Sequence, residues 1–110
     1  MAKRRFVPKK TESEIRRIVR TNMRNRRVSL GMSQLKLAKS VGVSQAFISA
    51  IESPNRPEDV PSLEFLERLA EALASSVAAL VTDGMFRLSE EEEEQERRKP
   101  RAFTKARVRR

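Results

Sequence analysis

The chain has 110 residues, room for one small domain and tails. It carries 24 Lys and Arg against 15 Asp and Glu, a net charge of +9, which favours a polyanionic partner: nucleic acid first, an anionic membrane surface second. Cysteine and histidine are absent, which excludes disulfides, thiolate nucleophiles, His-based acid–base pairs and most zinc sites, and no apolar run approaches the roughly 20 residues of a membrane span.

The charge is uneven. Residues 1–31 hold 11 basic and 2 acidic side chains, residues 32–85 hold 4 and 7, and residues 86–110 hold 9 and 6. The central segment contains most of the apolar residues and is slightly acidic, so a compact core with basic appendages is expected. The N-terminus is basic with no apolar stretch behind it, which argues against a signal peptide and for a cytoplasmic protein.

In chain order, "MAKRRFVPKK" shows no periodicity and reads as a flexible basic arm, residues 1–11 with the threonine that follows. "TESE" offers a capping box, Thr11 at the N-cap and Glu14 three residues on, opening a first helix over about 12–30. Ile15, Ile18, Val19, Met23, Arg27 and Leu30 share its inward side. Arg16, Arg17, Arg20, Arg24 and Arg26 fall elsewhere and read as a solvated face. Gly31 suits the left-handed seat after a helix.

Ser33 caps a second helix over 34–40, with Leu37, Ala38 and Val41 inward, and Gly42 interrupts the pattern. Ser44 caps a third helix over about 45–52, cored by Ile48 and Ile51. "SPNRPEDVP", with three prolines, is a loop. Ser62 caps a fourth helix, "LEFLERLAEAL", with Leu63, Leu66, Leu69, Ala70 and Leu73 inward. Ser76 caps a short fifth helix that Gly84 closes. Residues 12–84 thus form the expected domain, and 85–110 a charged tail, partly helical or disordered. In that tail Ser89 and Glu92 form a second capping box, and acids precede bases as the helix dipole prefers. The segment has no apolar face, so a helix there is expected to be solvated. No alternating strand pattern and no repeat occurs, so the fold class is all-α.

Two short helices about a tight turn make a helix-turn-helix when each buries one side, a small residue sits at their crossing, and the turn tolerates positive φ. Leu37, Val41, Val43, Ile48 and Ile51 meet the first condition, Ala38 the second and Gly42 the third. "MSQLKLAKSVGVSQAFISAIES" followed by "PSLEFLERLAEALASSVAAL" resembles the Xre/Cro-type helix-turn-helix family of phage repressors and bacterial regulators, over about residues 19–81. The resemblance implies a compact five-helix, lambda-repressor-like domain, bacterial or phage-encoded, that binds double-stranded DNA. The second helix would cross the phosphate backbone and the third would enter the major groove.

Residue by residue, the resemblance assigns Gln34 to a phosphate and Ser44, Gln45, Ala46, Ser49 and Ala50 to the reading face. It places phosphate contacts at Asn55 and Arg56, and a buried ion pair between Arg27 and Glu52. Gln45 is the strongest reader: its amide can accept from adenine N6 and donate to N7. Ala46 and Ala50 can approach a thymine methyl. Phe47 reads first as packing against its own loop and second as stacking on DNA sugars. Lys3, Arg4, Arg5, Lys9 and Lys10 would add salt-dependent affinity without choosing sequence. The chain departs from the family pattern at Glu52-Ser53-Pro54, where glycine is common, in its longer loop before the fourth helix, and at Ala74, where a left-handed glycine commonly stands.

The reading is a sequence-specific transcriptional regulator, a repressor, acting as a homodimer on DNA with neither cofactor nor metal and with no catalytic cluster. Val77, Val81, Met85, Phe86 and Leu88 supply a dimer seam or else complete the domain's own core. The alternative is an antitoxin that binds a toxin and its own promoter. Non-specific RNA binding through the basic ends is a third option.

Overall fold

The structure, a computed structural model, describes residues 12–55 and 61–99. Its helices are α1 (Glu14–Ser29), α2 (Gln34–Val41), α3 (Gln45–Glu52), α4 (Leu63–Ala72), α5 (Val77–Leu80) and α6 (Glu90–Arg98). The described residues contain no strand.

Every helix begins with a serine whose side chain accepts the backbone N–H three residues on: Ser13, Ser33, Ser44, Ser62, Ser76 and Ser89. Each satisfies a donor that the first turn leaves orphaned, worth about 1 kcal/mol. For α1 this corrects the expected Thr11 cap: the helix starts two residues later, on Ser13. That start leaves Glu12 outside the helix, where it accepts from Arg16 Nη1 at 2.8 Å and from Arg20 at 2.9 and 3.1 Å.

The core gathers Val19 and Met23 of α1, Leu37, Ala38 and Val41 of α2, Ile48 and Ile51 of α3, the inner face of α4, Leu73, and Leu80 of α5. Burying each large aliphatic side chain contributes about 1.5–3 kcal/mol relative to exposure. α1 touches α3, α5 and α6, while α4 touches α2 and α5. Three residues expected inward are exposed: Ile15 (51%), Leu30 (42%) and Leu63 (70%). Leu63 is the first residue of α4, ahead of the turn that meets the core. Phe65, two residues on, takes the buried place. Arg16, expected on a solvated face, is 2% exposed.

The polar side of α1 ties the other helices down at their C-terminal ends. There the last four carbonyls of a helix lack intrahelical donors. The buried Asn22 amide donates to the carbonyls of Ala79 (3.3 Å), Leu80 (2.9 Å) and Thr82 (2.8 Å), closing α5, while its oxygen accepts the Phe86 N–H at 3.3 Å. Asn25 donates to the Phe86 carbonyl at 2.9 Å. Arg26 donates to the carbonyls of Leu73 (2.9 Å) and Ala74 (3.1 Å) at the end of α4, with its guanidinium carbon 5.3 Å from the Phe86 ring centre. These bonds hold the segment after α5 against α1. α6 follows, with the Ser89–Glu92 capping box formed in both directions and no residue buried.

Candidate nucleic-acid interface

α2 and α3 are joined at Gly42, whose φ of +88° is the left-handed conformation that L side chains disfavour. A Cβ there would meet only the tip of Arg68, at 3.8 Å, so backbone conformation rather than space requires glycine. Gly42 and Val43 both donate to the Ala38 carbonyl, and Arg68 donates to that of Val41 at 3.2 Å, closing α2.

α3 buries Ile48 and Ile51 and turns the opposite face outward. Ser44, Ala46 and Ser49 are exposed; Gln45 and Ala50 are half-buried. The Ser44 oxygen accepts the Phe47 N–H at 3.1 Å, which leaves its hydroxyl hydrogen available to a ligand. Phe47 meets the Phe65 ring edge-on, centroids 5.1 Å apart, and stays 41% exposed. Its partner is therefore α4 rather than its own loop. Beside the partly exposed Phe47 ring, the outward face of α3 carries one amide, two hydroxyls and two methyls, and no charge.

The helix is anchored at its C-terminal end. Arg27 Nε and Nη2 donate to the two Glu52 oxygens at 2.8 and 2.9 Å, with both residues buried, and Arg27 Nη1 donates to the Met32 carbonyl at 2.8 Å. This fork-on-carboxylate geometry uses the planarity that distinguishes arginine from lysine. Gln34 Nε2 donates to Glu52 Oε1 at 3.1 Å, which uses one of its two N–H groups and leaves the other at the start of α2. Arg16 Nη2 donates to the Ala50 carbonyl at 3.1 Å. Hydrogen bonds from Arg20, aided by its charge and that of Arg16, hold the Glu12 carboxyl below the usual carboxylate range despite an opposing push from burial.

The structure thus brings Gln34, Arg27 and Glu52 together behind a face formed by Ser44, Gln45, Ala46, Ser49 and Ala50. Asn55 is exposed beyond the end of α3, its N–H bonded to the Ser53 hydroxyl at 3.1 Å. Lys3, Arg4, Arg5 and Arg56 lie outside the described residues. Sequence reasoning missed Arg16, whose acceptor on α3, the Ala50 carbonyl, lies 34 residues away and leaves no local pattern. It also passed over Lys36 and Lys39 of α2, both exposed. Of the residues offered as a dimer seam, Val77, Val81 and Phe86 pack on the domain's own core, and Met85 is 47% exposed. No helix among the described residues is long and apolar enough to cross a membrane.

A family model described as Helix-turn-helix, of Xre/Cro-like type, matches residues 23–80. The solved structure of a hypothetical transcription factor, NHTF, from Neisseria is similar to this one, with a TM-score of 0.59 and 29% identity, covering 71% of this chain and 88% of that one. No curated protein matches with significance.

Proposed function

The chain belongs to the Xre/Cro-like helix-turn-helix family and is a DNA-binding transcriptional regulator, and we propose that it is a repressor that reads operator sequence in the major groove with α3. One observation carries this reading: α3 exposes an uncharged face while its other side and its C-terminal end are locked into the domain. Pre-organised readers lose little freedom on binding and hold their contacts in register.

Gln45 supplies the bidentate amide contact to adenine, Ala46 and Ala50 approach thymine methyls, and the Ser44 and Ser49 hydroxyls serve either partner. Gln34, through its remaining N–H, and Asn55 bind phosphates. So do Arg56 and the arm residues Lys3, Arg4 and Arg5, with Lys36 and Lys39 adding exposed charge on α2. These cations raise affinity for any sequence and make it salt-dependent. So few base contacts per domain favour a homodimer on two half-sites about one helical turn apart.

Selection of bound duplexes from a random pool tests the reading. The wild type should enrich a palindromic site. Gln45→Ala should relax preference at one base pair per half-site, by about 1–3 kcal/mol of discrimination, with the salt slope nearly unchanged. An unaltered preference would remove Gln45 from the reading role, and a wild type that enriches nothing would remove α3.

A further inference from the structure

α3 ends without a basic residue in its last turn. The negative end of its dipole and its unpaired carbonyls must be served from elsewhere. Arg27 serves it from one side, through the Glu52 carboxylate. Arg16 serves it from the other: its guanidinium, 2% exposed, donates to the Ala50 carbonyl at 3.1 Å. The two arginines stand 11 residues apart on α1, about three turns and roughly 16 Å along the axis, on nearly the same face. They bond neighbouring points at the C-terminal end of α3, the Ala50 carbonyl and the Glu52 carboxylate. One grip leaves a short helix free to pivot about it; two fix its tilt.

Arg16 is itself held. Its Nη1 donates to Glu12 at 2.8 Å, and Glu12 takes both its other bonds from Arg20. Arg16, Glu12 and Arg20 all precede the residues that match the family model, 23–80.

We infer that Arg16 is a positioning residue for DNA reading: its bond to the Ala50 carbonyl sets the tilt of α3, so base preference beneath Ser49 and Ala50 depends on a side chain that touches no DNA. The inference rests on the reading of α3 given above. With Arg27 still holding Glu52 and the turn still holding Gln45, a shift on losing the Arg16 bond falls on Ser49 and Ala50 between them. Loss of the grip should blur one part of the site and spare the other.

The test is the random-pool selection run on the full chain as wild type, Arg16→Ala, Arg16→Lys and Arg20→Ala, with melting temperature and salt slope measured alongside. Arg20 shares Glu12 but does not touch α3, so its variant should select as wild type does. Both Arg16 variants should lose preference at the base pairs beneath Ser49 and Ala50, keep it beneath Gln45, and lower the operator-to-scrambled affinity ratio roughly tenfold, the worth of one good base contact. The salt slope should hold. If Arg16→Ala fails to fold, Arg16→Lys decides, since an ammonium keeps the charge without the fork that spans Glu12 and Ala50. Equal weakening on operator and scrambled DNA with a shallower salt slope would overturn the inference in favour of a phosphate contact. A lowered melting temperature with an unchanged base profile would reduce Arg16 to a structural residue. A wild type that selects no site would instead sink the reading of α3 itself.

Discussion

α1 and α3 divide the chemistry of this protein in a way that its charge alone would not suggest. α1 carries six arginines and α3 none. Yet the arginines of α1 work largely inside the molecule: Arg16 on the Ala50 carbonyl, Arg20 on Glu12, Arg26 on the end of α4, Arg27 on Glu52 and Met32, while Arg17 pairs with Glu14 and Asp83. The helix without arginine turns an uncharged face outward and buries its one charge, Glu52. The reason lies in helix length. α2 and α3 have 8 residues each, so about half of their carbonyls have no intrahelical donor. A fold of short helices needs many donors at helix ends, and arginine brings five in a rigid fork. Counting basic residues therefore overstates the charge that α1 offers to solvent.

The comparison breaks most sharply at Arg27. Arg27→Ala removes one partner of a buried pair and leaves Glu52 charged among Ile48 and Ile51, a loss of about 3–5 kcal/mol. Urea unfolding should show most of a small domain's stability gone, and a loss below about 1 kcal/mol, the range of exposed pairs, would mean that water reaches Glu52. Next comes Asn22, which donates to three carbonyls and accepts from one N–H. Asn22→Ala should cost about 1–3 kcal/mol, the penalty for buried polar groups left unmade. It should also raise hydrogen exchange at the Phe86 amide, which an intact α5 exit would protect.

Much of this architecture was legible in the sequence because its signals are local. A serine three residues before the N–H it accepts, and a glycine where φ must be positive, act within one turn; five of the six serine caps and Gly31, Gly42 and Gly84 followed from that. At α1 two hydroxyls two residues apart competed, and a tertiary demand decided: Glu12 is needed outside the helix for Arg16 and Arg20. The apolar stripe placed α4 correctly but chose Leu63 over Phe65, because periodicity cannot see that the Phe47 ring lies against Phe65. The roles of Arg16, Asn22 and Arg26 in tying helix ends together were not legible at all. Their partners on other elements lie 34 to 64 residues away in the chain, and a polar residue at helical spacing looks solvated until its partner is known. The face of α3 came from the family pattern and helical geometry together; the grips behind it needed coordinates, apart from Arg27 and Glu52, which the family resemblance had paired.

The smallest effect tests the helix ends against each other. α1 and α4 finish in the same motif. Gly31 donates to Val28 at 2.9 Å and Met32 to Arg27 at 3.0 Å; Ala74 donates to Glu71 at 3.2 Å and Ser75 to Ala70 at 2.8 Å. The left-handed seat holds glycine in one, at φ +73°, and alanine in the other, at φ +52°. Ala74 is the only described non-glycine residue with positive φ. Arg26, bonded to the carbonyls of Leu73 and Ala74, holds that turn in place. Ala74→Gly should relieve about 1–2 kcal/mol of left-handed strain, partly offset by about 0.4–1 kcal/mol of added freedom in the unfolded chain. The bonds from Arg26 go to backbone carbonyls and survive the change. The net gain lies between zero and about 1.6 kcal/mol, at roughly 4–8 °C in melting temperature per kcal/mol for a domain of this size. Gly31→Ala is the mirror experiment. A Cβ there meets nothing within 4 Å, so its whole cost is conformational and its shift should match the first in size and oppose it in sign. If Ala74→Gly lowered the melting temperature while Gly31→Ala also lowered it, strain would not be the difference between the two ends, and the alanine would have to be stabilising the α4–α5 turn through a contact of its own methyl.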